Sequence, residues 1–309
     1  MPNTVFIDTP ENFSFRATVY SHGWCELAPF TLDTENWRLS YVFRDEKIGA
    51  VPAVIFEEKK KIRIDLGGNG FDEQRVLSDV RHLLRLDDDL GGFYDSIAGH
   101  ERLKWVGDRR AGRLLRSPTV FEDLVKTICT TNCSWALTKI MVGNLVEKLG
   151  VAAGSEPGAI ATGFRTFPTA EAMASMNEDF YRNEMRAGYR APYFVELAES
   201  VASGKLDPEQ WLTSGLPTAD LKKEMKKVKG VGDYAAENLL KQVGRYDGLA
   251  LDSWLRSQFY KNHNGEKKCD DKKIEKHYER FGEWRGLVIW CDMTEKWITE
   301  DAAASDTAE

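Results

Sequence analysis

The sequence predicts an α+β protein: an antiparallel β-sheet domain with a flanking helix over residues 1–108, then an all-helical domain over residues 109–300. Two observations support this prediction. Short runs of alternating or β-branched residues are concentrated before residue 70, and apolar residues recur at three- and four-residue spacing after residue 109. The last segment, residues 301–309, is rich in alanine and acidic residues and is predicted to be a disordered tail.

The predicted strands lie at 37–43, 51–56 and 61–66, and a glycine-rich turn at 67–70 follows the last of them. A helical pattern then covers residues 73–86. Because the connections between these strands are short, we expect them to pair as a small antiparallel sheet with the helix packed against it.

The helical region begins at Ser117, a helix-capping residue that is followed by proline at the first helical position. Apolar residues then repeat at helical spacing from Phe121 to Cys129, and the next helical pattern covers 134–149. Residues 151–166 are rich in glycine and alanine and are predicted to form a loop. Further short helices are predicted at 169–175, 179–186, 191–203, 208–212, 218–228, 275–281 and 284–290.

The composition fits a protein with substantial cores, since 42% of the 309 residues are hydrophobic and 11% are aromatic. No run of 18 apolar residues occurs, so no transmembrane helix is expected. The first residues lack the basic and apolar regions of a secretion signal. We therefore expect a protein that is not secreted and that acts in the cytoplasm or nucleoid, or in the nucleus of a eukaryote.

The five cysteines are dispersed along the chain, which argues against a disulfide framework. Cys129 and Cys133 are four residues apart and could share a helix face, but a metal would need two further ligands that the sequence does not supply. We therefore predict free cysteines and no metal site.

The net charge of −7 is unusual for a protein that binds nucleic acid. Basic residues nevertheless cluster at 109–113, 182–190 and 222–229, and acidic residues cluster at 87–89 and in the tail. The third basic cluster leads directly into a pair of glycines. This distribution favours nucleic-acid binding of modest affinity that weakens with salt.

A glycine hairpin is the most informative motif. Gly230, Val231 and Gly232 lie between two helical patterns, and a single carboxylate, Asp252, follows about twenty residues later. Glycines before a helix leave free N–H groups at the helix N-terminus, where a phosphate can bind. A phosphate site with a nearby carboxylate indicates an enzyme that acts on nucleic acid.

Each part of the motif also has a purely structural interpretation. A Gly-x-Gly between helices is commonly only a turn. An aspartate before Ser253 is commonly a helix N-cap.

Taken together, the hairpin and Asp252 resemble the signature of the helix-hairpin-helix (HhH-GPD) superfamily of base-excision DNA glycosylases, although residues 248–252 lack the proline of many members. The resemblance implies a helical domain of two lobes with the active cleft between them. It also implies a monomer that acts on double-stranded DNA containing a modified base. Further segments that resemble the 8-oxoguanine and 3-methyladenine DNA glycosylase II branches are 114–132, 167–174, 187–193 and 284–290.

The same resemblance implies roles for individual residues. Asp252 matches the catalytic carboxylate, and Lys229 adds charge to the phosphate grip of the hairpin residues Gly230, Val231 and Gly232. Asn132 matches the residue that fills the space left by the extruded base, and Tyr189 and Arg190 match residues that wedge beside and contact the opposite base. As alternatives, Asn132 could cap a helix and the Tyr-Arg pair could lie on an ordinary surface.

The predicted base pocket departs from the 8-oxoguanine branch. Tyr234 stands where members that also cut the backbone carry a lysine, so we predict a monofunctional enzyme. Asn238, Gly286 and Trp290 match the other pocket positions, and Gly286 removes an edge contact made elsewhere by glutamine. An alkylated or bulkier base is therefore at least as compatible with this pocket as 8-oxoguanine. Tyr234 and Trp290 could equally be packing residues.

Two other functions stay open: a glycosylase with lyase activity that uses a lysine outside the motif, and a non-catalytic protein that binds DNA lesions. We expect no cofactor. The iron–sulfur cluster of some relatives is not expected, because only Cys269 and Cys291 follow Asp252. A monovalent cation at the hairpin is implied by the resemblance alone.

Overall fold

The N-terminal region forms a five-stranded antiparallel sheet in the computed structural model of the protein, which describes residues 3–154 and 164–306. The strands are β1 Asn3–Asp8, β2 Thr31–Asp33, β3 Arg38–Asp45, β4 Gly49–Glu58 and β5 Lys61–Leu66. Their order across the sheet is β1-β5-β4-β3-β2. The predicted antiparallel sheet is confirmed, and the two strands that the sequence analysis missed are the edge strands β1 and β2.

One face of the sheet is buried with the period of two that a β-strand requires. Ile7 pairs with Ile62, and Ile55 pairs with Ile64, so isoleucine side chains on neighbouring strands cover the same face. This face contributes to one apolar core together with the buried side of the helix that follows the sheet.

Thirteen α-helices occur in the described part of the chain. They are α1 Phe15–Val19, α2 Glu73–Leu83, α3 Gly91–Ile97, α4 Lys104–Asp108, α5 Val120–Thr130, α6 Trp135–Leu149, α7 Ala170–Ala174, α8 Ala191–Ala202, α9 Thr218–Met225, α10 Asp233–Gln242, α11 Ser253–His263, α12 Asp271–Tyr278 and α13 Arg285–Asp306. Two of the predicted helical segments are not α-helical. Segment 179–186 contains a π-helical turn, which is wider than an α-helix, at Phe180–Glu184, and segment 208–212 contains a 3₁₀ turn, which is tighter, at Pro208–Trp211.

The helices divide between two apolar cores. The first core joins the sheet and α2 to the helices from α5 to α10. The second core joins α3 and α4 to the helices α11, α12 and α13. The two-lobed arrangement expected for the helical domain is therefore present, and the cleft between the cores is the place where a ligand site can form.

The sequence predicts two domain limits, one at residue 108 and one at the start of the tail at residue 301. Residues 90–106, which the sequence analysis places in the N-terminal domain, contribute to the second core with the C-terminal helices, so the predicted boundary at 108 stays a prediction. The predicted tail 301–309 is helical through residue 306, because the alanines at 302–304 favour continuation of α13. Residues 155–163 of the predicted loop and residues 307–309 lie outside the described residues.

Among the described helices, none has the length and apolar character that a bilayer crossing requires. The five cysteines are free, as predicted.

Within the first core, a buried arginine connects the end of α2 to the end of α10. Arg85 follows α2 with a left-handed backbone (φ +55°) and is 1% exposed. Its guanidinium donates hydrogen bonds to the carbonyl oxygens of Lys241 and Gln242, both at 2.7 Å, and to that of Leu114 at 2.7 Å. It also binds the carboxylate of Asp88 at 2.7 Å. A cation at a helix C-terminus satisfies carbonyl groups that the helix itself leaves without donors.

Replacement of this arginine should strongly destabilise the protein. Arg85→Met removes a buried cation and leaves carbonyl oxygens at the end of α10 without donors, so we expect the free energy of unfolding to fall by about 3–5 kcal/mol. Urea denaturation measures the loss. Arg75→Met in α2, where the side chain is mostly exposed, is the matched control and should change stability by less than about 0.5 kcal/mol. Equal effects of the two substitutions would contradict this assignment.

Candidate active site

The glycine hairpin joins α9 to α10 and leaves the N-terminus of α10 open. Gly230 has φ +91°, and a Cβ there would lie 2.8 Å from the ring of Tyr193, so both backbone conformation and space require glycine. Gly232 is the N-cap of α10, makes no side-chain cap and has nothing within 4 Å of the position of a Cβ. No side chain of the N-cap therefore caps the N-terminus of α10, and an uncapped helix N-terminus suits an anion.

The basic cluster before the hairpin is balanced by acidic neighbours. Lys226 and Lys222 bind the carboxylate of Asp233 at 3.0 and 3.1 Å, and hydrogen bonds from these two lysines lower the pKa of that carboxyl. Lys229 pairs with Glu196 at 3.1 Å, with both side chains more than half exposed. Exposed pairs of this kind are weak and can open. The cluster therefore supplies less free positive charge than the sequence suggests.

A cavity of about 640 Å³ lies between the two apolar cores and contains most of the predicted pocket residues. Its wall includes Asp252, Tyr234, Asn238 and Trp290. Tyr234 is the second residue after Gly232, so the cavity extends from the hairpin side of α10 to the start of α11. The structure thus places the candidate carboxylate near Tyr234, in the first turn of the helix that follows the hairpin.

Asp252 is a helix N-cap and also lines the cavity, so its catalytic role stays a prediction that the geometry permits. It is the N-cap of α11, where its Oδ1 accepts a hydrogen bond from the Leu255 N–H at 2.7 Å, and it also lines the cavity. Helix-capping fixes the carboxylate at the cavity wall. The same charge, after burial itself, contributes to raising the pKa of Tyr234 to about 12, so the phenol stays neutral.

The segment before Asp252 is held by side chains of α10. Glu237 accepts a hydrogen bond from the Ala250 N–H, and the Lys241 ammonium donates to the Leu249 carbonyl at 3.1 Å. Ala250 has φ +54°. Proline cannot adopt a positive φ and has no N–H to donate, so the missing proline of the family signature matches the local backbone.

Four residues on one face of α10 line the cavity, since Tyr234, Asn238, Lys241 and Gln242 are spaced by four, three and one residues. The Asn238 amide donates to the Tyr234 carbonyl at 2.9 Å, and Lys241 is 3% exposed. Burial lowers the pKa of Lys241 to about 8. Lys241 is thus one lysine outside the motif that lines the cavity, and Gln242 was not predicted; the helical spacing from Tyr234 was the available signal.

Tryptophans form a second wall of the cavity. The Trp290 indole donates to the Ser21 carbonyl at 3.0 Å, and its ring lies 6.2 Å from that of Trp254 and 5.8 Å from that of Trp297. Trp290 is therefore both anchored and part of the cavity wall. Further aromatic lining residues that the sequence analysis did not identify are Tyr20, His22, Trp24 and Trp135.

His22 is a neutral member of this wall. Its Nε2 lies 2.6 Å from the Leu115 carbonyl oxygen, which requires the proton on that nitrogen and leaves Nδ1 as an acceptor. Burial lowers the pKa of His22 to about 4, so the ring is uncharged near neutral pH.

The residues predicted to contact the DNA duplex are only partly available. Asn132 and Tyr189 are exposed and lie together, with the Asn132 amide 3.4 Å from the Tyr189 hydroxyl. Arg190 is instead 3% exposed and donates to the hydroxyl and carbonyl of Thr131 at the end of α5. The prediction that Arg190 is free to contact a base is therefore corrected, because its guanidinium is hydrogen-bonded to the turn that carries Asn132.

Gly286 does not belong to the cavity wall, so its predicted place in the base pocket is also corrected. Its N–H donates to the Tyr246 carbonyl at 2.6 Å, and a Cβ would lie 2.0 Å from the Gly248 carbonyl oxygen. The glycine is required because α13 begins against the backbone that leads to Asp252. The contact joins segments that are far apart in the sequence, so no local pattern could predict it.

Among the described residues, His263, His277 and Asp292 form a group whose potential metal ligand atoms lie within 4.8 Å of one another. The Asp292 carboxylate already accepts hydrogen bonds from His263 at 2.7 Å, Tyr278 at 2.6 Å and Arg102 at 3.1 Å. Protein groups therefore compensate its charge within the second core.

The monovalent cation implied by the resemblance would need carbonyl oxygens of the hairpin as ligands. The carbonyl oxygens of Met225 and Val228 each accept one turn hydrogen bond, from Val228 and Val231 respectively. Each carbonyl has a second lone pair that a monovalent cation could use. A monovalent cation at the hairpin stays a prediction.

Comparison with known proteins was informative at the level of fold. No protein-family model matches the chain. It is similar to a protein of Methanothermobacter thermautotrophicus described as a probable N-glycosylase/DNA lyase, with 23% identity over 232 residues that cover 68% of this chain and 71% of that protein.

Solved structures give longer matches. The Clostridium acetobutylicum 8-oxoguanine glycosylase/lyase, in complex with double-stranded DNA, matches with a TM-score of 0.75 and 20% identity over 95% of each chain. The 3-methyladenine DNA glycosylase from Archaeoglobus fulgidus matches with a TM-score of 0.76 and 19% identity, over 96% of this chain and 99% of that chain. The DNA glycosylase fold expected from the sequence is thus confirmed.

The close contact at Gly286 predicts a stability effect rather than a pocket effect. Gly286→Ala places a methyl group inside the contact distance of two carbonyl oxygens, so we expect a loss of about 1–3 kcal/mol in the free energy of unfolding. Gly143→Ala, in α6 with nothing within 4 Å, should instead stabilise the protein by about 0.5–1 kcal/mol. Thermal and urea unfolding of both variants provide the comparison. A neutral Gly286→Ala would show that the contact is not tight.

Proposed function

We propose that the protein is a monofunctional DNA N-glycosylase that extrudes a damaged or modified base from double-stranded DNA and hydrolyses its glycosidic bond. The observation that carries this proposal is the position of Asp252, fixed at the wall of an aromatic cavity beside the open N-terminus of α10. The names of the similar proteins, which include both glycosylases and glycosylase/lyases, support the class of activity.

The proposed mechanism begins with extrusion, because an enzyme cannot reach a glycosidic bond inside a stacked duplex. A phosphate next to the extruded nucleotide binds the N–H groups at the start of α10, directly after the N-cap Gly232. Asn132 and Tyr189, which are exposed and adjacent, fill the space that the base leaves. The base enters the cavity and stacks on its tryptophans.

Hydrolysis then develops positive charge on the sugar. The carboxylate of Asp252 stabilises this charge and orients or deprotonates the attacking water. Tyr234 stands where an amine nucleophile would be needed for a lyase step, and its phenol stays neutral because its pKa is raised to about 12. The expected products are a free base and an intact abasic site.

The cavity favours an alkylated base. Its wall carries five tryptophans, Trp24, Trp135, Trp254, Trp290 and Trp297. A positively charged, alkylated ring is attracted to indole faces. The nearby imidazole of His22 is neutral, since burial lowers its pKa to about 4, and so does not repel a cationic base.

One observation favours a second candidate function, a glycosylase with lyase activity. Lys241 lines the same cavity, and its pKa is lowered to about 8 by burial. An amine of that pKa is partly unprotonated near neutral pH and could attack the sugar carbon. Against this, its ammonium is 3% exposed and donates to the Leu249 carbonyl.

Asp252→Asn is the direct test of the proposed catalytic group. Asparagine caps a helix as well as aspartate does, so the fold should be kept while single-turnover base release falls by about two to four powers of ten. Release is measured by alkaline cleavage of duplexes that each contain one defined damaged base. Binding to the same duplexes, measured by fluorescence anisotropy, should change little.

Asp247→Asn is the control, since Asp247 is outside the cavity wall, and its release rate should stay within about twofold of the wild-type rate. An Asp252→Asn variant that releases base at the wild-type rate would remove Asp252 from the mechanism. If the wild-type protein binds the damaged duplexes but releases no base from any of them, it is a non-catalytic lesion-binding protein.

Borohydride trapping separates the two glycosylase candidates. We expect no covalent protein–DNA adduct between pH 7 and pH 9, because Lys241 is held at a backbone carbonyl and Tyr234 cannot form a Schiff base. A lyase that uses Lys241 would instead trap increasingly as pH rises through about 8, since deprotonation produces the nucleophile. That adduct would disappear in Lys241→Met and persist in Lys272→Met, which changes an exposed lysine of α12.

A further inference from the structure

Two buried polar groups in the cavity wall have no hydrogen-bond partner within the described part of the chain. They are the Gln242 side-chain oxygen, in a residue that is 6% exposed, and the Thr127 hydroxyl, in a residue that is 1% exposed. Buried polar atoms are nearly always paired in folded proteins, so an unpaired set inside a cavity points to a polar ligand. Neither group is used by the hydrolysis mechanism above.

Gln242 is rigidly placed. It is the last residue of α10, and its carbonyl accepts hydrogen bonds from Arg85 at 2.7 Å and Arg116 at 3.2 Å. These buried guanidinium groups fix the backbone of Gln242, and they do not bind its side-chain amide, which belongs to a residue of the cavity wall. A side chain at a fixed helix end can orient a bound ligand, because its backbone does not shift when the ligand binds.

Thr127 lies on α5, which packs against α10, and it lines the same cavity as Gln242. Its carbonyl oxygen accepts a hydrogen bond from the Thr130 hydroxyl at 2.7 Å, so the α5 backbone around it is also constrained. A threonine hydroxyl can both donate and accept, whereas the glutamine oxygen only accepts. The pair therefore offers one hydrogen-bond acceptor and one group that can act as donor or acceptor.

Three neighbouring polar side chains each donate a hydrogen bond to a backbone carbonyl. The Lys241 ammonium donates to Leu249, the His22 Nε2–H to Leu115, and the Asn238 amide to Tyr234. None of these donors pairs with Gln242 or Thr127. An incoming polar edge can therefore pair with the Gln242 oxygen and the Thr127 hydroxyl.

We propose that Gln242 and Thr127 read the hydrogen-bonding edge of the extruded base, while the tryptophans hold its face. This inference rests on the proposed glycosylase function and assigns specificity within it. The complementary ligand is a planar heterocycle with an N–H donor toward Gln242 and an adjacent carbonyl or ring nitrogen toward Thr127. Bases that share the stacking face but lack this donor are poor substrates, because a polar site rejects a ligand that leaves its groups unpaired.

The test uses the near-isosteric variants Gln242→Leu and Thr127→Val in the full-length protein. Single-turnover base release is measured on duplexes containing hypoxanthine, 8-oxoguanine, 7-methylguanine or 3-methyladenine. We expect kcat/KM on the best wild-type substrate to fall by about 10- to 100-fold in each variant, and the ranking of the four bases to change. The exposed positions Gln210→Leu and Thr213→Val are the matched controls and should keep both rate and ranking.

A second measurement separates base reading from a structural role. Affinity for a duplex with a tetrahydrofuran abasic analogue, which has no base to place in the cavity, should stay within about twofold in both variants. Unchanged ranking and rate, or a parallel loss of abasic-site affinity and activity, would overturn the inference while the wild-type protein still releases base. Absence of release by the wild-type protein from every duplex would overturn the proposed function itself, and the inference with it.

Discussion

The arrangement of the site depends on the buried contact between the Arg85 guanidinium and the C-terminal carbonyls of α10. This contact fixes the end of the helix whose other end carries the glycine hairpin and whose one face lines the cavity. Because a helix is stiff, fixing its C-terminus also fixes the direction of the N–H groups at its N-terminus. The positions of the anion site, the pocket wall and the segment before Asp252 therefore all depend on this contact.

The charges of the molecule indicate how it would hold DNA. The net charge is −7, and each lysine in the cluster before the hairpin pairs with an acidic neighbour. Long-range attraction is therefore weak, and recognition has to come from backbone N–H groups at a helix end, from stacking, and from opening of exposed ion pairs. All of these act at short range, which suits a protein that must distinguish one damaged nucleotide from a large excess of normal ones.

In the proposed function, the Asp252 carboxylate has both a structural and a chemical role. Its carboxylate caps α11, and the cap holds it at the cavity wall. Three further contacts secure the backbone that precedes it: Glu237 at Ala250, Lys241 at Leu249, and the close approach of Gly286 to Gly248. None of these three residues needs to touch a substrate to matter, because a small displacement of the carboxylate would reduce its effect on the reacting sugar.

Local features could be predicted from the amino-acid sequence alone. The glycine hairpin, the capping aspartate, the three central strands and the main helices follow from turn chemistry and periodicity within short windows, and the match to a known fold followed from their order. The three-dimensional arrangement was needed to show that Trp24 joins Trp290 in one cavity wall and that Gln242 and Thr127 line the same cavity. It was also needed to show that Arg190 is buried and that Gly286 is a packing glycine. Those facts depend on the approach of segments far apart in the chain, and no local pattern encodes which side chain meets another across a core.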